Sequence, residues 1–251
     1  DEIKKKDIRI NDSVWVKRAG DVIPYISEVD KSKRKKNSVV FKIPTYCLCG
    51  KFKIIKIEGE AVQRCSGGIK CSYQYIESLK HFVSKKAMNI DGLGEKQIEK
   101  FNELKFINKK LDIYYLDNYK REITNLEGFG QKSYENLILS IEKSKRTTLS
   151  RFIFSLGLRY VGENNSELLA NYFQSKENFE SLISSKDLNL ELENIDGLGN
   201  KATNSFSEYF KNKDQLSEAI SILNLLDIEI IKDDNRISNE SILFTGTLSE
   251  L

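Results

Sequence analysis

Proline and glycine are scarce in this chain of 251 residues, with 2 Pro and 14 Gly, and the composition is 39% hydrophobic and 31% charged. That scarcity excludes a disordered tail and describes a mostly ordered, soluble chain, long enough for one large or several small domains. No apolar run approaches the roughly 20 residues that a membrane helix needs. The opening Asp1-Glu2-Ile3-Lys4-Lys5-Lys6 also lacks the apolar core of a signal peptide, so a cytoplasmic protein is expected. The only Met is Met88 and the chain opens on Asp1, which is expected of a fragment or a processed chain. Arg is scarce beside Lys, 9 against 31, a bias that reads as AT-rich coding and carries no function by itself.

The net charge of +3 hides a division. Residues 1–160 hold 33 Lys and Arg against 20 Asp and Glu, or +13, whereas residues 161–251 hold 7 against 17, or −10. The basic part could meet a polyanion, most simply nucleic acid. A solvated Lys-rich surface would give the same count.

Alternation typical of strands runs through Ser13-Val14-Trp15-Val16-Lys17-Arg18, Val22-Ile23-Pro24-Tyr25-Ile26 and Ser38-Val39-Val40-Phe41-Lys42-Ile43. Strands so close together predict a small barrel over residues 1–45, with Lys31-Ser32-Lys33-Arg34-Lys35-Lys36 as a solvated loop. The pattern turns helical from about residue 74 to about 227. An acidic linker follows, and then a strand-like Ile242-Leu243-Phe244-Thr245-Gly246-Thr247-Leu248.

A repeat lies within the helical part. Ile90-Asp91-Gly92-Leu93-Gly94-Glu95-Lys96, Leu126-Glu127-Gly128-Phe129-Gly130-Gln131-Lys132 and Ile195-Asp196-Gly197-Leu198-Gly199-Asn200-Lys201 share one pattern. A degenerate copy, Leu158-Arg159-Tyr160-Val161-Gly162, has Tyr160 in place of the first glycine. A Gly-apolar-Gly turn between short helices lets the backbone approach a ligand, and the free N–H groups of the second helix then point at one spot, which attracts a phosphate. The apolar residue would plug the hairpin into its core. Lys96, Lys132 and Lys201 would sit in the first helical turn, where a cation opposes the helix dipole and helix stability does not explain it. One such hairpin could be only a tight connection; four copies favour phosphate. Such contacts hold backbone rather than bases, so binding should ignore sequence. The turns at Gly162 and Gly199 lie in the acidic part and are expected to matter less.

The four cysteines form two pairs, Cys47 with Cys49 and Cys65 with Cys71. In a cytosolic chain this array favours a structural zinc site over disulfides, with free thiols as the alternative. Only Leu48 separates the first two, where a zinc knuckle usually has two residues, so strain is expected there. The only His, His81, is expected to pack rather than ligate.

With these features assembled, the chain resembles the C-terminal half of the bacterial NAD-dependent DNA ligases over essentially its whole length. The resemblance is carried by Arg18-Ala19-Gly20-Asp21-Val22-Ile23-Pro24, Glu58-Gly59-Glu60-Ala61-Val62, Glu77-Ser78-Leu79-Lys80-His81-Phe82-Val83-Ser84-Lys85-Lys86-Ala87-Met88 and Leu156-Gly157-Leu158-Arg159-Tyr160-Val161-Gly162, with the cysteines and hairpins in order. It implies a multidomain α+β protein. Its parts would be an OB barrel in residues 1–45, a four-cysteine zinc finger in 46–74, an all-α domain of four helix-hairpin-helix motifs in 75–230, and a linker with the start of a BRCT domain in 231–251. It further implies that the Arg18 turn faces the minor groove at a nick, with Arg18 on the DNA backbone and Val22 and Ile23 pressed on sugar and base edges. Ordinary strand core is the competing reading for Val22 and Ile23, and a surface charge for Arg18. The implied DNA-binding set is completed by Gly92, Gly94, Lys96, Gly128, Gly130, Lys132, Gly162, Gly197, Gly199 and Lys201.

Two departures stand out. The Cys-x-Cys spacing replaces the family's Cys-x-x-Cys, and no Lys-x-Asp-Gly occurs, so covalent attack on NAD has no candidate nucleophile. No catalytic residue is therefore assigned, and NAD and magnesium are expected to serve only a full-length enzyme. The leading expectation is the DNA-clamping part of such a ligase, a monomer on nicked double-stranded DNA. A stand-alone, non-catalytic duplex-binding module is the alternative. A helical scaffold would explain neither the hairpin lysines nor the charge division.

Overall fold

Alternating side chains produce a hairpin early in the chain. In the computed structural model, which describes residues 2–18, 20, 23–57, 60 and 62–229, helix α1 (Glu2–Lys5) precedes strands β1 (Val14–Lys17) and β2 (Tyr25–Val29). The two strands pair antiparallel, Val14 opposite Val29 and Lys17 opposite Tyr25, with a bulge between Trp15 and Val16. The third strand expected at residues 38–43 is not a ladder strand: within it only Val40 forms a bridge, to Arg9, and Val39, Phe41 and Ile43 are exposed. Alternation records which face is apolar, but a strand needs a neighbouring backbone to take its hydrogen bonds. Among the described residues only the 9–10 turn offers one, Ile10 N–H donating to the Val39 carbonyl.

The expected solvated loop of residues 31–36 is also anchored. Arg34 donates to the carboxylates of Asp12 (2.7 and 3.0 Å) and Asp7 (2.6 Å) and to the Asp7 carbonyl. Hydrogen bonding to Arg34 holds both carboxyl groups below the usual carboxylate range. Strands β3 (Ile54–Lys56) and β4 (Gln63–Cys65) form a second antiparallel hairpin, Ile54 opposite Cys65.

The described residues belong to two compact units, Asp1–Cys71 and Ser72–Leu251. The second is built from α2 (Ser72–Val83), α3 (Glu95–Glu103), a 3-10 segment (Lys110–Tyr119), α4 (Lys120–Thr124), α5 (Gln131–Ser144), β5 (Arg146–Thr148), α6 (Leu149–Ser155), α7 (Glu163–Phe173), α8 (Lys176–Ile183), α9 (Leu188–Glu193), α10 (Asn200–Lys211), α11 (Lys213–Leu225) and β6 (Asp227–Glu229). Helical spacing puts Ala202, Phe206 and Phe210 on one buried face of α10, where Phe206 stacks on Phe173 and meets Phe179 edge-on. Strands β5 and β6 pair in parallel, a contact of three residues each that no periodicity announces. No described helix is long and apolar enough to cross a membrane. Val22, Glu58, Gly59, Ala61 and the expected linker and BRCT strand lie outside the described residues.

Lys110 is the buried cation of this unit. Its ammonium donates to the Leu156 carbonyl at 2.8 Å, capping the end of α6, and lies over the Tyr209 ring. Burial lowers its pKa to about 8, whereas an unfolded lysine titrates near 10.4. Between these values the unfolded chain binds more protons, so stability rises with pH. Above about pH 10 the buried Tyr75, Tyr114 and Tyr209 reverse the trend, because burial raises their pKa values while unfolded tyrosines ionise. We expect the helical melting midpoint to rise from pH 8 to 10 and then fall, and Lys110→Met to abolish the rise; melts followed by far-ultraviolet circular dichroism check this.

Candidate nucleic-acid interface

All four hairpins adopt one backbone path. The first glycine is left-handed at Gly92 (φ +91°), Gly128 (+76°) and Gly197 (+85°), and Tyr160 takes the same conformation (+63°) in the degenerate copy. The next side chain, Leu93, Phe129, Val161 or Leu198, is then driven into the core. The second glycine caps the following helix with extended backbone: Gly94 before α3, Gly130 before α5, Gly162 before α7 and Gly199 before α10. No cap side chain takes up the first helical N–H groups, so they stay available at the tip.

In the first and fourth turns the two glycines differ in what they face. A Cβ on Gly92 would touch Leu137 of α5 at 3.5 Å, and one on Gly197 would touch Leu168 of α7 at 3.6 Å. A Cβ on Gly130, Gly162 or Gly199 would meet nothing within 4 Å, and on Gly94 only the Gln97 amide oxygen, at 3.1 Å. A Cβ on Gly128 would also meet nothing within 4 Å, so there only the left-handed φ of +76° asks for glycine, while the second glycines leave a face that is bare or met by one flexible side chain. The hairpins also work in pairs. Asp91 N–H donates to Ser140 Oγ of α5 at 2.7 Å, joining the first to the second, and Lys201 reaches Tyr160, joining the fourth to the third.

Lys96, Lys132 and Lys201 are exposed, and none has a carboxylate within ion-pair distance among the described residues. Asn164 stands at the matching place in α7. Beside the first hairpin a cleft of about 330 Å³ is lined by Lys80, Ser84, Lys85, Gly92, Gly94 and Glu95. Lys80 there is shared by Glu77, Glu95 and Glu99, at 2.9, 3.6 and 2.9 Å.

In the first unit Arg18 is exposed, Gly20 is left-handed (φ +64°) and Ile23 is 80% exposed, which excludes strand core for Ile23. The four cysteine sulfurs all lie within 4.8 Å of one another, Cys47 and Cys71 at 3.7 Å. The single residue between Cys47 and Cys49 does not prevent this, because Leu48 swings outward. Backbone N–H groups of Lys51 and Phe52 lower the Cys49 pKa to about 7, and burial pushes Cys65 up to about 12 although Gly67 N–H points at its sulfur (3.4 Å). The Phe52 ring occupies the space where a Gly67 Cβ would stand, 2.3 Å away. His81 is a packing residue: its Nε2 lies 2.7 Å from the Phe154 carbonyl oxygen and its ring meets Phe154 edge-on. Sequence reasoning missed the Phe52 contact and Lys110, for which no local signal exists, and the Tyr160–Lys201 contact, to which the broken repeat pointed.

Comparison with known proteins agrees with this construction. Residues 1–38 match the NAD-dependent DNA ligase OB-fold domain, and residues 151–218 match the helix-hairpin-helix motif, the stretch holding the third and fourth hairpins. An OB-fold segment of that type followed by a helix-hairpin-helix stretch is what this chain is similar to. The chain is 44% identical over 256 residues to a DNA ligase of Wolbachia pipientis wMel, and 43% identical over 260 residues to one of Pelagibacter ubique (strain HTCC1062). It is also 37% identical over 262 residues to one of Rickettsia africae (strain ESF-5). These alignments cover 99%, 99% and 100% of this chain and 38% of each relative. The resemblance to the NAD-dependent DNA ligases read from the sequence therefore holds, for a chain that spans 38% of the length of those relatives.

The difference between the two glycines is measurable without any ligand. Gly128→Ala places a side chain on left-handed backbone and should destabilise the helical unit by about 1 kcal/mol. Gly130→Ala meets open space on ordinary backbone and should leave the melting midpoint level or slightly raised. Equal losses in thermal melts of the two variants would refute this division.

Proposed function

We propose that this chain is the DNA-clamping part of an NAD-dependent ligase and holds nicked duplex as a monomer through its sugar-phosphate backbone, without reading sequence. The observation that carries the reading is the open face at the second glycine of the hairpins, bare at Gly130, Gly162 and Gly199 and met only by the Gln97 side chain at Gly94. Phosphate can approach backbone N–H groups there, and Lys96, Lys132 and Lys201 stand in the first turn of the helices that receive it. Gly92, Gly128 and Gly197 hold the turn, while Gly94, Gly130, Gly162 and Gly199 admit the phosphate. Arg18 and the exposed Ile23, with Val22, are assigned to the minor groove beside the nick, where an apolar wedge favours distorted duplex. In the full enzyme, NAD would supply the adenylate, releasing nicotinamide mononucleotide, and magnesium would assist the transfers that let a 3′-hydroxyl be joined to a 5′-phosphate. This chain holds no Lys-x-Asp-Gly and contributes grip and orientation.

The test is titration of fluorescent nicked duplex by the whole chain at several salt concentrations. Log K should fall by about 0.9 per log unit of salt for each phosphate held, and unrelated base sequences should bind alike. Gly94 or Gly130 replaced by Leu should lose affinity while circular dichroism is kept. Lys96→Ala and Lys132→Ala should each reduce the slope by about one contact. Parental binding by the glycine variants would reduce the hairpins to helix connections.

The thiol cluster fits structural zinc. In a tetrahedral site with Zn–S near 2.3 Å the sulfurs stand roughly 3.8 Å apart, close to the Cys47–Cys71 separation, and backbone N–H groups already face Cys49 and Cys65. Cys47, Cys49, Cys65 and Cys71 would be the ligands, with the ion tying the end of β4 to Cys71 and to the Cys47–Cys49 turn. One zinc per chain is expected by metal analysis. Gly67→Ala, which collides with Phe52, should weaken zinc retention against a chelator without altering the helical signal. Four freely reactive thiols and no zinc would overturn the assignment.

A further inference from the structure

The third hairpin breaks the repeat twice, with Tyr160 where its sisters have glycine and Asn164 where they have lysine. Tyr160 nonetheless keeps the left-handed turn at φ +63°, carrying a strain that glycine would avoid. Such an outlier asks for a function, because core packing does not account for it: the ring is 40% exposed and outside the buried core. What the ring does touch is positive. The Arg159 guanidinium lies 4.9 Å and the Lys201 ammonium 5.7 Å from its centroid, within reach of a cation–π attraction. Lys201 belongs to the fourth hairpin, so an aromatic of one turn carries the cation of the next.

We propose that Tyr160 is a positioning residue. Its ring, set beside the partly buried Arg159, holds the exposed Lys201 at the joined tips of the third and fourth hairpins, so the pair presents one shared cation to a single stretch of duplex sugar-phosphate backbone. The third hairpin thereby borrows the charge it lacks. This rests on the proposed function and assigns it a residue and a division of labour between hairpins. A long lysine left free would spread its charge over many rotamers, whereas a ring beneath it fixes the ammonium beside the bare faces of Gly162 and Gly199. The placement matters most here, because the third hairpin has Asn164 where its sisters have lysine.

The experiment uses the whole chain and labelled nicked duplex across a salt series. Tyr160→Gly restores the residue of the sister hairpins, so its melting midpoint should equal or exceed the parent's, yet its affinity should drop roughly two- to fivefold and its salt slope should shrink by up to about one. Tyr160→Phe keeps the ring and should bind as the parent does. Lys201→Ala should weaken binding, and adding Tyr160→Gly to it should cost little more, since the two act through one contact. The proposal is overturned if Tyr160→Gly binds with parental affinity and slope, if Phe fails to restore what Gly loses, or if the Gly and Lys201 effects simply add. Failure of the parent to bind duplex at all would sink the proposed function itself, whereas parental binding with a silent Tyr160→Gly sinks this inference alone.

Discussion

A left-handed residue followed by a buried side chain is the constraint on which the helical unit depends. The positive φ at Gly92, Gly128, Tyr160 and Gly197 reverses the chain in so few residues that the next side chain points inward, and Leu93, Phe129, Val161 and Leu198 become core. Once that plug is seated, the second glycine must start a helix whose first N–H groups face outward. Geometry that suits phosphate thus follows from the packing that makes the turn, and one short sequence pattern specifies both.

Around the hairpins, polar side chains meet backbone that the helices leave unpaired. Lys110 takes the Leu156 carbonyl, and Arg151 donates to the carbonyls of Lys85 and Ala87. These carbonyls belong to chain ends that run into or out of a hairpin, where an unmet acceptor would let the turn loosen. The 3-10 segment carrying Lys110 comes from the first hairpin pair and α6 leads into the second, so a single ammonium links the two pairs. The cost is a buried cation, accepted because its carbonyl partner and the Tyr209 ring stand in for water.

What the sequence showed clearly was whatever has a local cause. The hairpins could be read because glycine, plug, glycine and lysine each answer to the same few bonds of backbone, and even Tyr160 in the degenerate copy was aligned with the left-handed position it occupies. The cysteines could be paired, but whether one residue between Cys47 and Cys49 would let the sulfurs meet depended on the β3–β4 hairpin, which brings Cys65 back opposite Ile54. The strand expected at 38–43 failed because alternation says nothing about a partner. Arg34 was read as part of a solvated loop, since nothing near it in sequence announces Asp7 and Asp12 more than twenty residues earlier. The β5–β6 pair was missed for the same reason.

The charge division is the place where a sum over sequence misleads most. Counting residues 161–251 as −10 suggests that the third and fourth hairpins are weak partners for a polyanion. Between exposed charges, however, interaction fades beyond about 10 Å at 0.1 M salt, so what counts is the set of groups within that distance of the turn. Glu163, the acidic residue nearest Gly162 in sequence, is paired with Lys86 at 2.6 Å. Arg159 and Lys201 gather on Tyr160 at the same tip. Acidic residues such as Glu191, bonded to Tyr172 at 2.7 Å, and Glu229, paired with Arg146, are engaged along helices and in the small parallel ladder. The local sign at the hairpin is therefore set by two cations and an aromatic ring, and a net charge taken over ninety residues does not describe the surface that a phosphate would meet.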